Sequence, residues 1–292
     1  MWMIEIKEEP NPFLARVVIA GNWDGNVEVA KGLLEDVYER WPKGKRVNFL
    51  ITCGGFINFE RLGRLSHLDI GDVKNPIPQA VNVLAEEAKK RCQQLLSRDL
   101  REKLGEWTDY LTLGIDSFKD KISLTKTYIS EPHVELVSLI DLRTNSYYWT
   151  GKSYPTPNQE KGLIRISDLK THFLNLDIGK VMILGCHDLT IFNNRNWEKT
   201  GEWRKKIKTE FRNLARVENP TIVLQHPHTT DSILTWAAAW NELKRTLPTV
   251  KEYASAGRYY NPDNPSQERS KLVDVLARTK SSHTIDFIVH IK

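Results

Sequence analysis

A cysteine at the end of a short apolar run is the residue of this chain best placed for covalent chemistry. Cys186 follows the apolar run at residues 180–184 and is itself followed by His187 and Asp188. Ligands of α/β sheets bind at the carboxyl ends of the strands, so a thiol at that point faces the substrate crevice. A thiolate there could act as a nucleophile and form a covalent intermediate.

A lysine and a glutamate that could support such a reaction precede this cysteine in the sequence. Lys152 follows an aromatic segment, and Glu160 follows the lysine eight residues later. A fixed ammonium would stabilise the negative charge that develops when a thiolate attacks. The same ammonium would lower the thiol pKa from about 8.5 and so enrich the nucleophilic thiolate.

The order and spacing of these residues resemble the nitrilase or carbon-nitrogen hydrolase superfamily. The resemblance implies that Cys186 is the nucleophile, that Lys152 stabilises the oxyanion and that Glu160 positions the lysine or the substrate. It further implies hydrolysis of a non-peptide C–N bond in a small amide or nitrile, through a thioester and without an organic cofactor. A four-layer α-β-β-α sandwich and assembly into homo-oligomers complete the expectation.

The sequence departs from the resembled family where that family has a general-base glutamate. The strand expected at residues 47–52 is followed by Cys53, Gly54 and Gly55 instead of a glutamate. We predict Glu60 as the substitute base, with Asp69 and Asp72 as more distant candidates. The alternative is a catalytically degenerate protein that binds a small ligand or serves as a scaffold.

Four further polar residues are predicted to contact substrate. His187 and Asp188 directly follow Cys186, and His226 and His228 follow another expected strand. Two imidazoles two residues apart could also share a metal ion, which leaves a zinc or manganese hydrolase as an alternative. The chain has no other clear ligand cluster, so our primary interpretation includes no metal.

Strands and helices alternate along the chain in a pattern typical of an α/β protein. The pattern predicts helices near residues 30–41, 76–104, 203–214 and 233–243 and before the last strand. It predicts strands at residues 14–20, 47–52, 110–115, 133–142, 147–149, 180–184, 221–224, 253–256 and 284–291. These elements predict one nitrilase-like domain over residues 1–292, with residues 261–292 as its C-terminal extension.

The composition favours a globular protein in a reducing compartment. The chain has 292 residues, of which 40% are hydrophobic and 27% are charged, and only three are cysteines. No membrane segment or signal peptide is indicated, and we expect a cytoplasmic location. The net charge is +5, and the basic run at residues 204–208 is typical of a solvated helix face. Nucleic-acid binding is therefore not expected.

Overall fold

The structure is a computed structural model that describes residues 1–59, 76–117, 133–156, 159, 163–193, 197–229, 233–259, 271–281 and 283–291. The strands are β1 (Trp2–Glu8), β2 (Leu14–Ala20), β3 (Val47–Ile51), β4 (Ile57–Phe59), β5 (Thr108–Ser117), β6 (Glu135–Asp141), β7 (Ser146–Gly151), β8 (Phe173–Leu176), β9 (Gly179–Leu184), β10 (Ile222–Gln225), β11 (Glu252–Ser255) and β12 (Thr284–Ile291). The helices are α1 (Val27–Glu39), α2 (Pro78–Leu95), α3 (Arg98–Gly105), α4 (Glu202–Glu218), α5 (Ile233–Thr246) and α6 (Leu272–Arg278).

The strands form one large and one small sheet. The large sheet has the order β1-β12-β2-β3-β5-β6-β7, with β4 also paired to β5. Its central strands β12, β2, β3 and β5 are parallel, whereas β1, β6 and β7 pair with their neighbours in the antiparallel sense. The small sheet has the order β11-β10-β9-β8, in which only β8 is antiparallel to its neighbour.

The two sheets pack face to face, and helices cover their outer faces. Along β9, Val181 and Ile183 join the apolar layer between the sheets, while Met182 and Leu184 pack with α4 and α5. The outer face of the large sheet packs against α1, α2 and α3 in a separate apolar cluster. Alternate residues of a strand point to opposite faces, so one strand contributes to both layers. The predicted α-β-β-α sandwich is confirmed by this packing.

Most predicted elements are present, but two predictions require correction. The helix expected over residues 76–104 is two helices, because Ser97 caps the start of α3 by accepting a hydrogen bond from the Leu100 N–H. The basic run is not wholly solvated, since Arg204 and Lys208 are buried and lie 4.4 and 5.3 Å from the centre of the Tyr154 ring. Cationic groups over an aromatic face are stabilised by the ring quadrupole.

In the described part of the chain, every helix is too short or too polar to cross a membrane.

Candidate functional site

Cys186 lies in a tight turn at the carboxyl end of β9. A side chain at Gly185 would approach the backbone N and Cα of Lys152 to 2.8 Å, so glycine is needed for the turn to contact the neighbouring segment. The buried Asp188 carboxylate accepts hydrogen bonds from the backbone N–H groups of Gly185, Ser153 and Tyr154, at 3.0, 3.0 and 2.7 Å. Asp188 therefore joins the thiol turn to the segment that carries the lysine.

Lys152 follows β7 and is held in a buried network with a carboxylate and an amide. Its Nζ donates to Glu135 Oε2 at 2.9 Å and to Gln159 Oε1 at 2.6 Å. Gln159 in turn donates from Nε2 to Glu135 Oε1 at 2.6 Å. Burial would lower the Lys152 pKa, but the Glu135 carboxylate and the Cys186 thiolate more than offset it and hold the pKa above its usual value. The side chain is therefore a fixed ammonium.

His228, which follows β10, is a second basic residue close to the thiol. Its backbone N–H donates to Cys186 Sγ at 3.3 Å, and its Nε2 is 2.5 Å from Asp116 Oδ2 at the end of β5. Its Nδ1 lies 3.7 Å from Glu135 Oε2. Burial favours the neutral imidazole, but Asp116, Glu135 and Cys186 together raise the His228 pKa well above its usual range.

The three thiols differ sharply in their electrostatic surroundings. Burial would raise the Cys186 pKa, yet the positive charges of His228 and Lys152 outweigh it and place the pKa below the usual value. Burial raises the Cys53 pKa to about 12, and it also raises that of Cys92, which lies on the buried face of α2. Since a thiolate is the reactive form, Cys186 is the thiol suited to nucleophilic chemistry.

Gly54 and Gly55 leave space for the His228–Asp116 pair. A β-carbon on Gly54 would lie 2.8 Å from the His226 carbonyl oxygen and 3.3 Å from His228 Cε1, and one on Gly55 would lie 3.1 Å from Asp116 Oδ2. Gly55 also has a φ of +61°, a left-handed conformation that favours glycine. The segment after β3 therefore leaves space in the site. The two ionisable groups that occupy this space, Asp116 and His228, come from β5 and from the loop after β10.

Comparisons with known proteins find similarity in structure only. No protein-family model matches the chain, and no curated protein sequence matches it. A mutant of the Nesterenkonia AN1 amidase from the nitrilase superfamily is 10% identical, with a TM-score of 0.48, over 86% of this chain and 78% of the amidase. That amidase belongs to the superfamily which the order of Lys152 and Cys186 resembles. The C. elegans NitFhit protein is 15% identical, with a TM-score of 0.46, over 94% of this chain and 59% of NitFhit.

The other predicted site residues have different surroundings. His226 is buried next to the site, where its Nδ1 is 2.7 Å from the Thr52 carbonyl and burial lowers its pKa to about 4. His187 stacks on Tyr154, with ring centres 6.0 Å apart. Glu60, Asp69, Asp72 and Glu160 lie outside the described residues. Their predicted roles stay predictions.

Sequence reasoning missed three members of the candidate site. Glu135 and Asp116 lie on strands, at the start of β6 and near the end of β5, and Gln159 directly precedes the glutamate that was predicted. Carboxylates are costly to bury without a charged partner, so an acidic residue at either end of an apolar strand was an available signal. What the sequence could not show is that both strand ends meet at Cys186.

The cluster does not fit a divalent cation. Glu135, Cys186 and His228 each offer one ligand atom, and these atoms lie within 4.8 Å of one another. However, both oxygens of Glu135 already accept hydrogen bonds from Lys152 and Gln159, and the ammonium supplies a positive charge at the same place. His226 is not part of this group among the described residues.

Proposed function

We propose that this protein is a hydrolase that cleaves a non-peptide C–N bond of a small amide or nitrile through a thioester on Cys186. The observation that carries the proposal is a thiol close to the Lys152 ammonium and the His228 imidazole, whose positive charges together lower its pKa. Selective activation of one thiol among three is a property of catalytic cysteines rather than of cysteines that only pack.

The Lys152 ammonium is suited to stabilise the anion that forms when the thiolate attacks. Two of its three N–H groups donate to Glu135 and Gln159, and among the described residues the third has no acceptor. A donor fixed in advance costs little reorganisation when negative charge develops on the substrate oxygen or nitrogen. Glu135 and Gln159 are therefore positioning residues that keep the ammonium charged and oriented.

Mass-resolved labelling with iodoacetamide across pH tests the proposal. At pH 7 we expect Cys186 to be alkylated at least tenfold faster than Cys53 and Cys92 in the native protein, because only its thiolate is stabilised. Cys186→Ala should abolish the fast labelling and any turnover found in a screen of amides and nitriles. Equal, slow labelling of all three thiols would favour the degenerate ligand-binding or scaffold protein that the missing glutamate suggests.

Two further expectations belong to this proposal. The resemblance favours a homo-oligomer, which light scattering of the purified protein would test. The sparse cysteines favour a cytoplasmic location, which imaging of a tagged chain in its native cell would test.

A further inference from the structure

The ionisable side chains close to Cys186 are not those expected from the resembled family. Where that family has a general-base glutamate after the strand, this chain has Gly54 and Gly55. Side chains at those two positions would contact the His228 imidazole and the Asp116 carboxylate. The glycines at positions 54 and 55 therefore accommodate the His228–Asp116 pair.

The His228 imidazole is both close to the thiol and fixed in orientation. A ring nitrogen of His228, a Glu135 oxygen and Cys186 Sγ lie within 4.8 Å of one another. Nε2 is hydrogen-bonded to Asp116, which leaves Nδ1 on the side of Glu135. The backbone is held as well, since the carbonyl of His228 accepts hydrogen bonds from the backbone N–H and the Nε of Arg258, both at 3.1 Å.

We infer that His228, oriented by Asp116, replaces the missing glutamate as the group that exchanges protons with Cys186, the leaving nitrogen and the attacking water. This inference rests on the proposed function, because it assigns the proton transfers of that same thioester reaction. His228 is then a catalytic residue and Asp116 a positioning residue. The arrangement is a cysteine–histidine–aspartate triad set beside the Lys152–Glu135 pair.

The proton transfers balance for an amide substrate. The thiol proton moves to His228, the thiolate forms a C–S bond with the amide carbon, and the C=O electron pair moves to oxygen. When that pair returns, the C–N bond breaks and the imidazolium proton goes to the leaving nitrogen. The neutral imidazole then takes a proton from water, hydroxide attacks the thioester and the C–S bond breaks. The acid product leaves, and the thiolate and imidazolium are restored.

The charges around His228 are consistent with both halves of this cycle. It faces Asp116 from β5, Glu135 from β6, Cys186 after β9 and, through Glu135, Lys152 after β7. The thiolate is one of the charges that keep the imidazole protonated. Formation of the thioester removes that negative charge, so the imidazolium releases its proton more readily when the leaving nitrogen needs one.

The decisive experiment compares His228→Asn with the unaltered full chain, with His290→Asn as the control. His290 lies on the surface of β12 and pairs with Glu5, far along the sequence from the site elements. We expect alkylation of Cys186 by iodoacetamide at pH 6 to fall at least tenfold in His228→Asn, while the rate at pH 10 changes less than about threefold. The control should match the unaltered chain at both pH values.

A second measurement follows the thioester itself. p-Nitrophenyl acetate should acetylate Cys186, and mass spectrometry should show the acetyl group decaying quickly in the unaltered protein. In His228→Asn the acetyl group should persist at least tenfold longer, because no base activates water. Asp116→Asn should also prolong it, and Asp116→Glu should partly restore the decay, whereas a purely structural role would not distinguish the two variants.

A measurement on the unaltered protein does not depend on the folding of a variant. With isotope-labelled histidine, NMR should show His228 protonated at neutral pH, and carbamidomethylation of Cys186 should shift its titration to lower pH. Unchanged labelling, deacylation and titration, with Cys186 still reactive, would overturn the role of His228 and leave the proposed function standing. An unreactive Cys186 in the unaltered protein would overturn both, as would stoichiometric zinc in the purified protein.

Discussion

At the residue scale, the reactivity of Cys186 is decided by charges of both signs that lie close to it. Lys152 and His228 lower the thiol pKa, whereas Glu135 raises it. Glu135 also holds Lys152 in place and contributes to the protonation of His228. The Glu135 carboxylate thus destabilises the thiolate directly, but it also keeps Lys152 and His228 positively charged, and these two cations stabilise the thiolate.

Removing Lys152 or the charge of Glu135 should shift the Cys186 pKa in opposite directions. In Lys152→Ala, the alkylation-versus-pH curve of Cys186 should move to higher pH, because a nearby positive charge is lost. In Glu135→Gln it should move to lower pH, because a negative charge is lost and the shape is kept. Alkylation that is quenched after set times, followed by mass spectrometry of the peptides, measures both curves.

The matched control for this pair is Lys103→Ala. Lys103 is exposed and pairs with Asp99 on the surface of α3, so its removal should leave the curve unchanged. Shifts of the same sign in Lys152→Ala and Glu135→Gln would contradict a direct effect of the Glu135 charge on the Cys186 pKa.

At the element scale, a buried arginine ties together elements that are distant in the sequence. Arg16 on β2 donates from Nε to Asp286 Oδ1 on the adjacent β12 at 2.5 Å. Its other nitrogens donate to the carbonyls of Ser255 and Leu276, at 3.0 and 2.7 Å. Burial raises the Asp286 pKa, but Arg16 and Lys280 outweigh it, so the pKa lies below its usual value.

Removal of one partner of this ion pair should be strongly destabilising. We expect Arg16→Met to reduce the free energy of unfolding by about 3–5 kcal/mol, because Asp286 is then a buried charge without its main partner. Urea unfolding followed by tryptophan fluorescence measures the change. The double variant Arg16→Met with Asp286→Leu should lose less than the sum of the two single variants.

An exposed ion pair supplies the comparison. Arg98 and Glu102 pair on α3 with side chains that are 85% and 56% exposed, so Arg98→Met should reduce the free energy of unfolding far less than Arg16→Met does. A similar small loss for Arg16→Met would contradict a structural role for the buried pair.

At the scale of the whole molecule, buried neutral histidines link stability to pH. His172, in the layer between the small sheet and α4, has ring nitrogens 2.6 Å from the Ile183 carbonyl and 2.5 Å from Ser153 Oγ. Burial lowers its pKa to about 4, and burial does the same to His226. The unfolded chain binds these protons near pH 6.5 and the folded chain does not, so stability falls as pH drops from about 6.5 towards 4.

The contribution of His172 to the pH dependence of stability can be isolated with a variant. Between pH 7 and pH 4.5 we expect His172 to account for a loss of about 2 kcal/mol, which His172→Gln should remove from the pH dependence. The measured quantity is the difference between the two proteins in urea unfolding at both pH values. This difference is needed because Asp188, whose pKa burial raises to about 7, contributes with the opposite sign in the same range. Identical pH dependence in both proteins would contradict the assignment.

Local patterns determined the elements and the principal nucleophile candidate. Alternating apolar residues and turn signals predicted the hairpin of β6 and β7, the strand that ends before Cys186 and the helices around the sheets. These features depend on residues close together in sequence, and their periods of about two and 3.6 residues can be read directly. The break at Ser97 and the strand β1 were missed because capping and edge-strand pairing are weaker signals.

The tertiary structure decided which polar residues surround the thiol. Asp116, Glu135 and His228 are far apart in the sequence, and only the packing of β5, β6 and the loop after β10 brings them to Cys186. Periodicity in the sequence reports which face of an element is buried, but not which elements become neighbours. The sequence by itself therefore indicates only that a general base is missing at Cys53, Gly54 and Gly55. In the fold, the two glycines leave the space that the His228 imidazole and the Asp116 carboxylate occupy.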